Sequence, residues 1–160
     1  MPRRSESREV PYTATQMFNL VADIESYPEF IPWCRAARIK SRSKTGPKEV
    51  LIADLLVSIR VFRETLVSKV TLEPEEQRIL VRYVDGPLKR LQSEWRFFDL
   101  GNGRSRIEYD AEFEFRSRVL TAFAEAFIDH AVSAVVSAFE TRARMKSDQG
   151  HNLEFNECSR

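Results

Sequence analysis

The sequence predicts an α+β domain in which one curved antiparallel sheet of six or seven strands wraps on a single long C-terminal helix. Apolar and polar residues alternate from residue 49 to residue 115, which is typical of strands that bury one face. Residues 117–145 carry apolar side chains at helical spacing, and this helix is the one element large enough to cover the sheet. With two short helices after the first strand, the arrangement is a helix-grip fold.

The amino-terminal third contains the first strand and the two short helices. The polar residues 1–9 are either a short arm or the approach to the first strand. Residues 13–16 follow the Thr-x-x-Gln pattern of a capping box, so a helix begins near Ala14. Asp23 is expected to cap a second, shorter helix that ends near Pro28.

The middle of the chain reads as a meander of strands, preceded by a strand-like segment at residues 33–43. Each strand has one apolar face that should point inward. The predicted inward residues are Leu51, Ala53, Leu55, Val57, Ile59, Phe62, Leu66, Val70, Leu72, Ile79, Val81, Tyr83, Leu91, Ser93, Trp95, Phe97, Ile107, Tyr109, Ala111, Phe113 and Phe115.

The long helix is predicted to start at Ser117 and to end near Met145. Val136 is assigned to its outer side. Its inner stripe is predicted to comprise Leu120, Phe123, Phe127, Ala131, Ala134 and Ala138. The domain therefore spans residues 1–146, and residues 147–160 form an aperiodic tail that we expect to be flexible.

Composition excludes several classes of function. With 25 basic and 24 acidic residues, the net charge is +1, which argues against DNA binding through phosphate neutralisation. The glycines fit neither nucleotide-binding fingerprint, and two histidines are too few for a histidine metal cluster, so no metal is expected. No apolar run reaches the ~20 residues that span a bilayer, and two cysteines suit a reducing compartment. We therefore expect a cytoplasmic protein.

The segment at residues 27–34 is an apolar loop held between two prolines. Such a loop covers a cavity, or it contacts a membrane or a partner. We predict that it forms the mouth of a cavity together with the turn near Gly86. The predicted mouth residues are Tyr27, Pro28, Phe30, Ile31, Trp33, Gly86, Pro87 and Leu88.

A ligand cavity is predicted between the sheet and the long helix. Alanines at the end of the inner stripe permit close helix–sheet packing or leave a void that a ligand fills, and the aromatic residues equally fit a plain core. The predicted lining residues are Phe62, Glu64, Leu66, Tyr83, Leu91, Trp95, Tyr109, Phe113, Leu120, Phe123, Phe127, Ala131 and Ala134.

Glu64 is the one weak catalytic candidate, because it shares a predicted strand face with apolar residues. A buried carboxylate would bind a polar ligand group, or act as an acid or base with Tyr83 or Tyr109 in a cyclase or hydratase. In the alternative, Glu64 lies near a strand end, reaches water and pairs with Arg63 or Arg90. We assign no catalytic residue.

The following segments carry a resemblance to a known family: Phe18-Asn19-Leu20-Val21 with Asp23; Tyr27-Pro28-Glu29-Phe30-Ile31-Pro32-Trp33-Cys34; Phe62 to Leu72; Asp85-Gly86-Pro87-Leu88 with Leu91; Trp95-Arg96-Phe97; Ala138-Phe139-Glu140; and Arg142-Ala143. Over residues 3–145 the chain resembles the coenzyme Q-binding proteins of the START-like, polyketide cyclase-related superfamily. Leu88 stands where the family often has an aromatic residue.

The resemblance implies a function without catalysis. A polyprenyl quinone, a ubiquinone-like lipid, would be bound or delivered in the sheet–helix cavity in support of respiratory electron transport or quinone biosynthesis. No cofactor would be required, and transient membrane contact would place the protein at the periphery of the inner membrane.

Relatives of the same fold include a ribosome-association toxin, so the rival interpretation is an interaction protein that acts on the ribosome or a biosynthetic complex. That function would use the basic residues of the second strand, although such charges are more often a solvated face. These residues are Arg35, Arg38, Lys40, Arg42 and Lys44.

Overall fold

The computed structural model describes residues 3–59, 62–86, 88–119 and 132–146. Within these ranges it contains seven strands, the helix α1, one 3-10 helix and a C-terminal helix at residues 132–146, and residues 118–119 are also helical. The bounds are β1 Arg3–Val10, α1 Ala14–Ala22, the 3-10 helix Ile24–Glu29, β2 Cys34–Thr45, β3 Lys48–Ile59, β4 Phe62–Glu73, β5 Arg78–Asp85, β6 Leu88–Gly101 and β7 Arg104–Phe115.

The seven strands form one antiparallel sheet in the order β1-β7-β6-β5-β4-β3-β2. All neighbours from β2 to β7 are consecutive in the chain, as the predicted meander requires. The polar amino terminus is strand β1, which pairs with β7 from Arg3 opposite Glu112 to Val10 opposite Ser105. The sheet is therefore open, with β1 and β2 at its two edges.

The capping box at the start of α1 is confirmed. The Thr13 hydroxyl accepts a bond from the Gln16 amide at 3.1 Å, and the Gln16 side chain accepts one from the Thr13 amide at 2.8 Å. The Ala14 amide also donates to Asp99 at the end of β6, which fixes the helix to the sheet. Asp23 precedes the 3-10 helix, but its carboxylate accepts a bond from the Ser26 hydroxyl instead of capping a backbone amide.

The inner face of the C-terminal helix differs from the predicted one. Val136 is 1% exposed and Phe139 is 1% exposed, whereas Ala134 and Ala138 are half-buried. The buried stripe comprises Val132, Val136, Phe139 and Ala143. The assignment of Val136 to the outer side is wrong because burial of large apolar side chains stabilises the helix more than burial of alanines. In this part of the helix, bulky residues and not a row of alanines face the sheet.

Arg8 connects the edge strand β1 to the C-terminal helix. Its guanidinium donates to the Ser137 hydroxyl at 2.7 Å and pairs with Glu140 at 3.1 Å and with Glu6 at 3.0 Å. A partly buried arginine with several acceptors is better held than an exposed ion pair. The helix is thereby anchored at its polar side as well as at its apolar side.

Glu73 is a buried carboxylate at the end of β4, near the turns that precede β3 and β5. Its side chain is 3% exposed and contacts Lys48 at 2.8 Å and Arg78 at 2.6 Å. The Arg78 hydrogen bond, followed by the Lys48 hydrogen bond, lowers the pKa of Glu73 below its ordinary value of 4.5. The two cations thus hold this carboxylate in its charged form and join two turns.

We expect Glu73→Gln to lower the free energy of unfolding by about 1–3 kcal/mol at pH 7, because two charge-assisted hydrogen bonds weaken. Since folding lowers the pKa of Glu73, its stabilisation is complete above 4.5 and is lost as the pH falls through the folded-state value. Urea unfolding at pH 7 and at lower pH should therefore show the two proteins converging in acid. Glu75→Gln in the exposed turn is the control, and an equal difference at every pH would contradict the argument.

Candidate functional site

The segment at residues 27–34 packs against the C-terminal helix. The rings of Tyr27 and Phe30 each lie 5.2 Å from the ring of Phe139, edge to face, and Ile31 is 5% exposed. Trp95 of β6 also lies 5.2 Å from Phe139. Three elements distant in sequence therefore meet around one phenylalanine.

Polar contacts hold this segment in place. The Tyr27 hydroxyl donates to the Val21 carbonyl at the end of α1. Burial raises the pKa of Tyr27 well above its ordinary value, so the phenol stays neutral. The Arg142 guanidinium lies over the Phe30 ring at 5.2 Å and pairs with Glu29 at 3.2 Å. Most of the predicted mouth aromatics thus contribute to the core, and whether any of them contacts a ligand stays a prediction.

Burial changes along the inner face of the sheet. Toward the β6–β7 turn, inward side chains that are at most 7% exposed form one buried cluster with Trp95. These buried residues include Leu51, Leu72, Ile79, Phe97 and Ile107. Toward the β3–β4 and β5–β6 turns, several inward side chains are only half-buried, although Phe113 and Leu88 are buried. The half-buried residues are Leu55, Leu66, Tyr83, Leu91, Ser93 and Tyr109.

We call these six half-buried residues the open half of the inner face. Within it, Tyr109 packs against Trp95 with ring centroids 4.3 Å apart. Burial raises the pKa of Tyr109, and a hydrogen bond with Ser93 opposes that rise in part. The open half therefore combines three leucines with polar groups, of which the neutral Tyr109 phenol and the Ser93 hydroxyl can contact a polar group of a ligand.

The turn between β5 and β6 is fixed by Tyr83. Its hydroxyl accepts a hydrogen bond from the Leu88 amide at 2.9 Å. Gly86 adopts a φ of +139°, and a Cβ there would lie 2.9 Å from both the Thr65 carbonyl oxygen and the Tyr83 hydroxyl. Only glycine fits this close approach. Because the Tyr83 hydroxyl is hydrogen-bonded within the turn, Tyr83 is a poor candidate for a catalytic acid or base.

Glu64 is exposed, as the strand-end alternative predicted. The last residue of β5, Asp85, lies opposite Val67, so Glu64 stands three residues beyond the end of that strand. Its side chain therefore lies at the surface, where water reaches the carboxylate. Glu64 and Leu66 therefore lie on the same strand, but Glu64 is exposed to solvent and Leu66 is half-buried.

Part of the predicted lining lies outside the described residues. This applies to Leu120, Phe123, Phe127, Ala131 and Pro87, and only the backbone of Phe62 is described. Their place in a cavity stays a prediction. The sequence interpretation overlooked Phe139 as a contact of the 27–34 segment. The signal that could have found it is the stripe of large apolar residues at 132, 136, 139 and 143.

The basic residues of β2 are exposed on an edge strand, but they do not form one stripe. A register shift between Ile39 and Ser41 places Arg38 opposite Asp54, which is on the outer face, and Arg42 opposite Leu51, which is on the inner face. Lys40 lies 3.9 Å from Asp54, and Arg42 lies 2.8 Å from Glu49. The three other cations, Arg35, Arg38 and Lys44, have no ion pair with another described residue.

No three His, Cys, Asp or Glu side chains in the described ranges are grouped so that they could hold a metal ion. Within the same part of the chain, no helix is long and apolar enough to cross a membrane.

Residues 10–140 match the family model described as polyketide cyclase/dehydrase and lipid transport. The chain is 37% identical over 145 residues to the ribosome association toxin RatA of Escherichia coli (strain K12), covering 90% of this chain and 88% of that protein. It is 34% identical over 145 residues to the mitochondrial coenzyme Q-binding protein COQ10 homolog B of Xenopus laevis, covering 87% of this chain and 57% of that protein.

Solved structures share the fold. The 18 kDa protein CC1736 from Caulobacter crescentus is 32% identical with a TM-score of 0.79, covering 92% of this chain and 99% of that chain. The Zhui aromatase/cyclase from a Streptomyces species also has a TM-score of 0.79 at 19% identity, covering 91% of this chain and 95% of that chain. At that identity the second likeness shows the fold alone.

We expect Phe139→Ala to lower the free energy of unfolding by about 3–5 kcal/mol, because a cavity would open among three aromatic rings. Phe139→Leu should cost less and keep the protein folded. Urea unfolding monitored by tryptophan fluorescence measures both changes. Phe98→Ala is the matched control on the outer face, where the ring is 37% exposed. An equal loss in the Phe139 and Phe98 variants would contradict the central position of Phe139.

Proposed function

Because the chain belongs to the polyketide cyclase/dehydrase and lipid transport family, we propose that it binds or delivers a polyprenyl quinone without catalysing a reaction. The ligand would lie between the sheet and the C-terminal helix, at the open half of the inner face. Support of respiratory electron transport or of quinone biosynthesis is the corresponding cellular role.

The observation that carries the proposal is the change in burial along the inner face. Side chains around Trp95 are packed as a protein core, whereas Leu55, Leu66 and Leu91 remain half-buried on the same face. Inward apolar surface that the protein itself leaves partly uncovered is suited to an apolar ligand. Burial of a prenyl chain there would contribute about 0.8 kcal/mol for each CH₂-sized group.

The polar groups of the open half suit a quinone ring better than a plain hydrocarbon. Tyr109 keeps its proton because burial raises its pKa, and Ser93 already contacts its oxygen. A neutral phenol can donate a hydrogen bond to a quinone carbonyl, which is an acceptor only. The name of the Xenopus laevis relative, a coenzyme Q-binding protein, supports the same ligand class.

Absence of catalysis is part of the proposal and has its own support. Glu64 is exposed, and the Tyr83 hydroxyl accepts a hydrogen bond from the Leu88 amide. The acid–base pair that a cyclase or hydratase would need is therefore not assembled from these residues. The affinity of a lipid carrier needs no such pair, since apolar area alone supplies it.

We expect decylubiquinone, a quinone with a short apolar tail, to quench Trp95 fluorescence saturably in a Trp33→Phe background. Leu66→Gln should weaken binding about tenfold or more, because a polar side chain replaces buried apolar area. Thr65→Gln is the matched control, since Thr65 is the exposed neighbour on the same strand, and it should change affinity less than twofold.

Tyr109→Phe separates quinone binding from general apolar binding. This substitution should lower the affinity for decylubiquinone and leave the affinity for a hydrocarbon of the same tail length unchanged. Absence of saturable quenching in the Trp33→Phe protein would reject quinone binding. Equal effects of the Leu66 and Thr65 substitutions would reject the open half as the site.

A second candidate function is association with the ribosome. It is favoured by the exposed cations Arg35, Arg38 and Lys44 on the edge strand β2, which form no ion pair within the described part of the chain, and by the name of the relative from Escherichia coli. Cations without intramolecular partners can neutralise phosphates of ribosomal RNA.

For this second candidate we expect the protein to sediment with purified ribosomes at low salt and to be released as salt rises. Arg38→Gln with Lys44→Gln should reduce the bound fraction several-fold. Lys69→Gln with Arg82→Gln removes the same charge from the outer face of β4 and β5 and is the control. If sedimentation with ribosomes changes neither with salt nor with either pair of substitutions, β2 is excluded as the contact.

A further inference from the structure

One end of the sheet combines basic and exposed apolar side chains. The β3–β4 turn, the β5–β6 turn and the end of β7 meet there, because Ile59 pairs with Phe62 and Leu88 pairs with Phe115. Asp85 at the end of β5 lies opposite Val67 in the middle of β4, and the next residue, Gly86, approaches the Thr65 carbonyl. We call this region, residues 62–66, 83–86, 88–90 and 114–119, the basic end.

Basic residues outnumber acidic residues at this end. The cations are Arg63, Lys89, Arg90, Arg116 and Arg118, and the anions are Glu64, Asp85 and Glu114. Lys89 pairs with Glu114 at 3.4 Å. Arg63, Arg116 and Arg118 are exposed and form no ion pair with another described residue. Their charges are therefore available to an external anion.

The opposite end of the sheet has a different charge. Its turns, residues 45–48, 73–78 and 99–104, contain four acidic and three basic residues, and the cations Lys48 and Arg78 are engaged by Glu73. The sheet thus has one end that attracts an anionic surface and one that does not.

The two most exposed large hydrophobic side chains in the described ranges also lie at the basic end. Val119 is 78% exposed and Val84 is 56% exposed. Exposed aliphatic groups beside exposed arginines are characteristic of surfaces that contact lipid. RNA binding would use the arginines but gain little from valines, whose side chains neither stack nor donate hydrogen bonds.

We propose that the basic end docks on a bilayer surface that contains anionic lipid. This rests on the proposed function, since the basic end adjoins the open half of the inner face through Leu66, Tyr83 and Leu91. A lipid leaving the open half at this end would enter the bilayer without crossing water. The carboxyl end of the 27–34 segment adjoins this region, since the Ser58 amide donates to the Trp33 carbonyl and Ser58 pairs with Arg63, whereas Tyr27 and Phe30 are engaged by Phe139.

The test is co-sedimentation of ligand-free protein with vesicles of phosphatidylcholine alone or with about one-third phosphatidylglycerol. Binding should require the anionic lipid and fall as salt rises. Arg116→Gln with Arg118→Gln should lower partitioning about 30-fold, since each arginine near an anionic surface contributes roughly a factor of five. Val119→Gln should lower it about fivefold through lost apolar burial.

The matched control is Arg38→Gln with Lys44→Gln, which removes the same charge from the edge strand β2. It should change vesicle binding less than threefold. Equal binding to both vesicle types, no binding to either, or an equal loss in the control would overturn the proposal. Binding to single-stranded RNA that is lost with Arg116 and Arg118 but unaffected by Val119→Gln would assign the basic end to nucleic acid instead.

Decylubiquinone binding is measured on the same variants without vesicles. Intact quinone binding with absent vesicle binding would overturn the membrane contact alone. Intact vesicle binding with absent quinone binding would overturn the quinone proposal alone.

Discussion

The packing of Phe139 against Tyr27, Phe30 and Trp95 is the interaction on which the rest of the structure depends. It joins the C-terminal helix, the 27–34 segment and the middle of the sheet within ring-to-ring distances of 5.2 Å. Aromatic pairs of this geometry contribute beyond their buried area. Because the 27–34 segment connects α1 to the edge strand β2, fixing it also fixes how the short helices lie across one end of the sheet.

This cluster divides the inner face into two parts with different properties. Near Phe139 the sheet and the helix are packed as in any protein core. Toward the β3–β4 and β5–β6 turns, inward apolar residues such as Leu66 and Leu91 remain half-buried. A fold with one well-packed half can leave the other half incompletely filled and still be stable, which is the physical condition for holding an apolar ligand. The same half adjoins the arginines of the basic end, so the proposed ligand site and the proposed membrane contact would lie next to each other.

Local patterns predicted the strands well because each depends on neighbours within a few residues. Alternation from residue 49 to residue 115 identified the inward faces of β3 to β7, and the Thr13–Gln16 pair identified the start of α1. The inner face of the C-terminal helix was harder to predict. The stripes that contain Ala134 and Val136 are separated by a rotation of about 200° along the helix, or two residues at ~100° each. Both stripes show helical spacing, and only the contact with Trp95 and Tyr27 selects the one that contains Phe139.

The sequence by itself determined the α+β class, the order of the elements, the inward strand faces and the family to which the chain belongs, since these follow from periodicity and local motifs. Only the tertiary structure decided that Tyr27 and Phe30 pack on Phe139, that Glu64 stands in water beyond the end of β5, and that a register shift divides the cations of β2 between two faces. Those outcomes depend on where strands end and which surfaces meet. Contacts between residues more than 100 positions apart set the first of these outcomes, and pairing between neighbouring strands sets the other two. No pattern within a single strand or helix encodes either kind of contact.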